Sequence, residues 1–201
     1  MARRHGRVVI DLGTGDGRAA LADAAADPGT FVLAIDADAR SMANASRRAA
    51  ARPSRGGRPN VVFAAEGVER LPADLDCLAD LVTIRFPWGS LLRGALGLDR
   101  AVASNIARLV APGGHLEIVL SIVERDRAAI GGSGAFGADD MARMTHVFGS
   151  LGFELVETRR LTPNEIRATG SSWARRLRSD PARPVWRVVV RYPCIKRMQS
   201  G

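Results

Sequence analysis

"RVVIDLGTGDGRAALADAAAD", residues 7–27, is the stretch whose reading decides the fold. Val8 to Leu12 form a short apolar run of the kind that lies buried on both faces of a parallel sheet. Gly13, Gly15 and Gly17 break it, and Arg18 to Ala26 has the Ala-rich character of a helix. A glycine loop between a strand and a helix is where a doubly wound sheet lets its backbone approach a ligand. Two phosphate-binding versions of such a loop fit poorly. In the dinucleotide fingerprint two residues separate the second and third glycines, whereas Asp16 alone separates Gly15 from Gly17. A carboxylate inside the loop would also repel a pyrophosphate. No Lys follows, so the loop is not a P-loop.

Outward from this stretch the pattern repeats. "GTFVLAID" reads as a second strand ending in Asp36, and Ala39 to Ala51 as a second helix closed by the basic, turn-rich "RPSRGGRP". "NVVFAA" and "DLVTIR" (80–85) give the third and fourth strands. Asp99 to Val110 is amphipathic and ends at "APGG", before a fifth strand, "HLEIVL". Met141 to Leu151 supplies another helix, followed by "FELVETRRL" and finally "PVWRVVVRY" (184–192). Alternating strands and helices predict an α/β, Rossmann-like architecture. The expectation is one domain over 1–201 with a mostly parallel seven-stranded sheet and an antiparallel hairpin at one edge. Segments 52–59, 121–138 and 162–183 read as insertions. Loops of such length are usually functional or disordered, and 162–183 shows no clear period.

Composition narrows the class. The chain is 46% hydrophobic and 25% charged, ordinary for a soluble domain. It has no apolar run of membrane-spanning length and no secretory signal, so a cytoplasmic location is expected. Cys77 and Cys194 lie far apart, as do His5, His115 and His146, without metal-ligand spacing; no metal is expected. The formal charge of +8 and a pI near 11.1 suggest a polyanionic partner. Lys196 is the sole Lys in an Ala- and Arg-rich chain, which a coding bias would also produce. Placement of the arginines therefore has to decide.

Asp36, ending the second strand, can accept hydrogen bonds from both hydroxyls of a ribose, while Asp38 reads as the N-cap of the next helix. D-x-G-x-G-x-G, from Asp11 to Gly17, resembles motif I of the class I S-adenosylmethionine-dependent methyltransferases. That resemblance puts Asp11 near the ammonium end of the cofactor's methionine and gives a phosphate-free ligand room at Gly13, Thr14 and Gly15. It places Asp36 and Ala37 at the ribose, with Val68 and Glu69 of "AEGVERLP" beside the adenine. An NAD-dependent oxidoreductase is the alternative for this loop.

"RFPWGS" (85–90) follows the fourth strand, where N6-adenine methyltransferases carry (N/D)-P-P-(Y/F). Pro87 matches, but no Asn or Asp is present to hold an amino group. Trp88 can instead stack on an extracted base or serve as an apolar lid over the cofactor. Trp173, in "GSSWARRLRSDPARP", lies in a segment with no apolar period and is flanked by Arg175, Arg176, Arg178 and Arg183. Trp186 alternates with Val188 and Val190 and reads as core. Arg47, Arg48, Arg52, Arg55 and Arg58 form a second cluster. Two arginine clusters and two loop indoles point to a structured RNA.

"DLGTGDGR", "RPSRGGRPNVVF", "ERLP", "FPWGSLL" and "SSWARRL" together are similar to the aminoglycoside-resistance 16S rRNA methyltransferases that modify N1 of adenine 1408. The resemblance implies that Trp88 and Trp173 sandwich the flipped adenine, with Phe86 and Pro87 beside it. It implies cofactor contacts at Asp11, Gly13, Asp36, Val68, Glu69 and Ser90, and a contact at the substrate end from Ser171. It also implies a grip on the rRNA of the 30S subunit by Arg47, Arg48, Arg52, Arg55, Arg176, Arg183 and Arg187. The expected cofactor is S-adenosylmethionine, leaving S-adenosylhomocysteine as product, and the expected protein is a monomer. N1 of adenine carries a free lone pair, so the chemistry needs placement more than a base. A small-molecule methyltransferase and a non-catalytic RNA-binding homologue are the alternatives.

Overall fold

A computed structural model of the chain describes residues 5–127, 130–131, 134–177 (175–177 as backbone) and 183–194. Strands β1 (Arg7–Leu12), β2 (Thr30–Asp36), β3 (Val61–Ala65), β4 (Ala79–Arg85), β5 (Val110–Leu120), β6 (Glu154–Arg160) and β7 (Trp186–Arg191) form one sheet in the order β3-β2-β1-β4-β5-β7-β6. β7 runs antiparallel to both of its neighbours, and β6 closes the edge. The mostly parallel sheet with an antiparallel hairpin at its edge is therefore as the alternation predicts. Strand order reverses between β1 and β4, and the carboxyl ends of those strands are where such sheets bind ligands.

Helices cover both faces. α1 (Arg18–Ala26) and α2 (Ala39–Ala49) bury Ala20, Ala24 and Ala49 against Val9, Val32 and Val61. α3 (Gly89–Ala95), α4 (Arg100–Ala107) and α6 (Ala138–Ser150) cover the other face, over Ile10, Val82, Ile84 and Leu116. The four-residue α5 (Glu124–Arg127) precedes α6. Asn60 ties the end of α1 to the start of β2 from a buried position. Its Nδ2 donates to the carbonyls of Ala24 (2.9 Å), Thr30 (2.8 Å) and, more weakly, Asp27 (3.3 Å).

Three segments depart from the sequence reading. "APGG" does not separate a helix from a strand but lies inside β5. Val110 pairs with Ala79, pairing resumes at His115 with Leu81, and residues 111–114 bulge out. Glycine is required there, because a Cβ on Gly114 would lie 2.9–3.0 Å from three carbonyl oxygens. The aperiodic 162–183 segment contains α7 (Pro163–Ala168) and α8 (Ser172–Leu177). α3 is the third, a helix that follows directly from Trp88. No described helix is long and apolar enough to cross a membrane.

Candidate functional site

The carboxyl ends of β1, β2 and β4 open onto a cleft of about 250 Å³ that extends from the glycine loop to Trp88 and Trp173. Its floor is a buried charge cluster. Asp11, 1% exposed, accepts from the hydroxyls of Thr14 (2.6 Å) and Thr83 (2.8 Å) and from Nη1 of Arg85 (3.0 Å). Arg85 turns its Nη2 to Asp23 of α1 (2.8 Å). Burial raises the pKa of Asp23, with Arg85 pulling the other way.

The glycine loop is tied to the second strand. Asp36 accepts from the backbone N–H of Gly15 (2.7 Å) and of Asp38 (2.9 Å), so the carboxylate expected at the ribose also shapes the loop. Asp38 caps α2 through the N–H of Arg40 (3.0 Å), as its position in the sequence predicts. Gly17 explains the spacing that set this loop apart from a dinucleotide fingerprint. A Cβ there would come within 2.5 Å of the Phe63 ring and 2.7 Å of Ala45, so the third glycine serves close helix packing.

Past β3, Val68 is buried and Glu69 lines the cleft. The Ser90 hydroxyl donates to Glu69 and holds its carboxyl below the usual range. Ser90 thereby links the expected adenine side to the start of α3. Gly13, Thr14, Ala37 and Ser171 also line the cleft. Among the cleft residues that sequence reasoning missed, two are charged and hold partners. Glu66 follows β3 directly and accepts from the N–H of Gly67 and from Arg70. Arg85 is a charge closing the run LVTI of β4, and that oddity was the available signal. Among the described residues, Asp11, Asp16, Asp36, Glu66 and Glu69 stand in the wall against Arg85 alone. Such a wall suits a cation and opposes a pyrophosphate. A sulfonium cofactor with a ribose therefore fits the donors present, and a dinucleotide does not.

At the mouth, Phe86 is buried against Val119, Ala174 and Val185 and holds a left-handed backbone (φ +54°). That conformation is uncommon for a bulky side chain. It turns the chain out of the sheet, so Trp88 is 47% exposed, and Trp173 of α8 is 37% exposed. The two rings meet with centroids 5.4 Å apart and planes tilted by 39°. A base held between parallel rings needs them roughly 7 Å apart, twice the optimal carbon separation. Trp173 thus belongs to a helix, not a loop, and the helix brings it to Trp88. Trp186 packs beside Phe136 with Arg160 over its ring, partly buried against the core.

The arginines divide into two groups. Arg47, Arg48, Arg52 and Arg55 are exposed and form no ion pair among the described residues; Arg47 donates to Asn44. From Ala39 to Ala65 the sequence contains six arginines and no acidic residue. Arg183 and Arg187 differ from the expectation of freely presented phosphate ligands. Arg183 is buried beneath the Trp pair, held by Asp126 and by Ser121 (3.0 Å). Arg187 bridges Glu117 (2.7 Å) and Glu157 on neighbouring strands, as an arginine inside a sheet must if it is to be satisfied. Arg178 and the side chains of Arg175 and Arg176 lie outside the described residues.

Comparison with known proteins agrees with this geometry. The family model described as "NpmA: 16S rRNA (adenine(1408)-N(1))-methyltransferase" matches residues 1–191. A 16S rRNA (adenine(1408)-N(1))-methyltransferase of Streptoalloteichus tenebrarius is 35% identical over 176 residues, covering 86% of this chain and 81% of its own. An Escherichia coli protein of the same description is 33% identical over 189 residues, covering 90% and 85%. Among solved structures, a mutant of the Catenulisporales acidiphilia enzyme of that description, crystallised with the cosubstrate SAM, superposes with a TM-score of 0.86. It is 29% identical and covers 97% of this chain and 89% of its own.

Proposed function

The chain belongs to the 16S rRNA (adenine(1408)-N(1))-methyltransferase family, and from that premise we propose that it methylates N1 of this adenine in the 30S subunit, a modification that confers aminoglycoside resistance. The observation that carries the reading is the pairing of Trp88 with Trp173 at the mouth of an acidic cleft. S-adenosylmethionine, when bound, supplies an electrophilic methyl group. Asp36 and Ala37 hold the ribose, Val68 and Glu69 the adenine, and Asp11 faces the ammonium of the methionine tail. Gly13, Thr14, Gly15, Ser90 and Ser171 complete the cofactor contacts.

Trp88 and Trp173 stack on the extracted adenine from its two faces, with Phe86 and Pro87 at its edge. Flipping a base costs a few kcal/mol, which stacking on two indoles offsets at about 1–3 kcal/mol each. The side chains have no proton to remove, because N1 attacks with its own lone pair. Their contribution is placement, with the reacting atoms about 3–3.5 Å apart. Arg47, Arg48, Arg52 and Arg55 meet rRNA phosphates, joined by Arg175, Arg176 and Arg178 around Trp173. Arg183 and Arg187 reach the RNA only by exchanging their present carboxylate partners. The protein acts as one methyltransferase unit with RNA-contacting insertions, working in the cytoplasm as a monomer.

Nucleosides from 16S rRNA of treated 30S subunits test this reading by mass spectrometry. The expected product is 1-methyladenosine. N6-methyladenosine, or no methylated adenosine, would overturn the proposal.

A further inference from the structure

Arg85 takes no part in the chemistry above, yet among the described residues it is the only basic one lining a cleft with five carboxylates in its wall. Its side chain is 13% exposed and is held by Asp11 on β1 and Asp23 on α1. Those two bonds use two of the five N–H groups of a guanidinium. The other three have no partner among the described residues. Asp11 is similarly unfinished. Its Oδ1 accepts twice, from Thr83 and Arg85, but among the described residues its Oδ2 accepts only from Thr14. A buried cation and a buried anion, 3.0 Å apart, thus both keep hydrogen-bonding capacity toward one cleft.

The direction of the cleft says what could use that capacity. Asp36 and Glu69 lie on its β2–β3 side and Trp88 at its mouth. A nucleoside with its ribose at Asp36 and its methyl group toward Trp88 must extend its remaining portion toward β1 and β4. That portion is an α-amino acid, carrying an ammonium and a carboxylate on one carbon. Five carboxylates would repel its carboxylate everywhere except at Arg85. We propose that Arg85 binds the carboxylate of the cofactor's amino-acid tail while Asp11 beside it takes the ammonium, an assignment that rests on the cleft being the S-adenosylmethionine site. A purely structural ion pair would explain the bonds to Asp11 and Asp23. It would not explain three donors left over at the wall of a cleft.

Titration calorimetry with three ligands separates these readings. Decarboxylated S-adenosylmethionine keeps the ammonium and lacks only the carboxylate, and 5′-methylthioadenosine lacks the whole tail. Wild type should prefer S-adenosylmethionine to the decarboxylated form by about 10- to 150-fold, the span for hydrogen bonds to a charged group. Arg85→Met should reduce that preference to less than about threefold and leave 5′-methylthioadenosine binding unchanged. Should Arg85→Met fail to fold with Asp11 left unpaired, Arg85→Lys answers the question. It keeps the charge, loses the planar fork, and should lower the preference at least about threefold. A wild type indifferent to the carboxylate, or a variant that keeps the full preference, overturns the assignment. A wild type that binds none of the three ligands would instead defeat the cofactor reading on which it rests.

Discussion

Asp36 shows how one carboxylate can serve both loop and ligand. It accepts from Gly15 and Asp38 in the free protein, and each oxygen retains a lone pair for a ribose hydroxyl. Asp36→Ala should weaken S-adenosylmethionine binding by about 1.5–3 kcal/mol, the range for hydrogen bonds to a charged group. Calorimetry giving an unchanged dissociation constant would remove Asp36 from the site. Asn60 has the opposite character, stabilising the fold without touching the cleft. Asn60→Ala leaves buried carbonyls at Ala24 and Thr30 without their donor, at about 1–3 kcal/mol per group. Urea unfolding should show the loss with the dissociation constant for S-adenosylmethionine unchanged. At this scale the sequence was legible wherever a residue's neighbours in the chain explain it, as with Asp36 and Asp38. Arg85 was missed because its partners, Asp11 and Asp23, lie on elements distant in the chain. Glu66, whose carboxylate is tied to its neighbours Gly67 and Arg70, was missed because the fold sets its place in the wall of the cleft.

Among the elements, α7 and α8 carry most of the surprise. "TPNE" (162–165) places a Thr cap, a proline in the first turn and a Glu that reaches back to the cap. This capping box was readable from spacing alone. α8 was not, because six residues give too short a period, and its packing comes from Ala174 against Phe86, Val119 and Val185. Glu165 joins the cap to Arg159 of β6 (2.7 Å), and the Arg159 guanidinium, with Thr162, pulls its carboxyl down to about 2. A depressed carboxylate pKa stabilises the folded state above the ordinary value of 4.5. That contribution is lost as pH falls toward about 2. A carboxyl NMR titration should put the Glu165 midpoint near 2; an ordinary midpoint would mean that the clasp is open in solution. α8 brings Trp173 to Trp88, and both indoles are exposed enough for truncation to spare the fold. Trp88→Ala and Trp173→Ala should each lower methylation of 30S subunits by about 5- to 150-fold, with Phe restoring part of it. Full single-turnover rates in both Ala variants would mean that the adenine is held elsewhere.

Over the whole molecule, net charge is a poor guide until the ion pairs are removed from it. The arginines of the β6–β7 hairpin are engaged: Arg187 with Glu117 and Glu157, Arg191 with Glu154, Arg160 over Trp186. The corner formed by the end of α2 and the segment after it carries four exposed arginines, Arg47, Arg48, Arg52 and Arg55, with no ion pair among the described residues. Sequence could mark both as basic but could not separate them, since each pairing crosses between strands distant in the chain. Arg48→Glu or Arg52→Glu should therefore weaken 30S binding and make it less salt-dependent, the log–log slope falling by roughly 0.7–0.9 for each phosphate no longer neutralised. Arg187→Gln should lower stability and change that slope less, because Glu117 and Glu157 already hold its charge. Filter binding at several salt concentrations, beside thermal melts, would distinguish the two groups; identical slopes for Arg52→Glu and wild type would refute the division.

That corner lies at the far end of α2 from the cleft. An eleven-residue helix is about 16 Å long, so the exposed arginines stand a fixed helix length from the Asp36 side of the cleft that leads to the indoles. The protein is in effect a caliper. It can close only on a target whose backbone and exposed adenine stand a set distance apart, and a strand that bends freely offers no such distance. Selectivity then resides in the substrate's rigidity as much as in its bases. A short hairpin with the right nucleotide should be a far poorer substrate than an assembled subunit, and stiffening such a hairpin should improve it without a single change at the indoles.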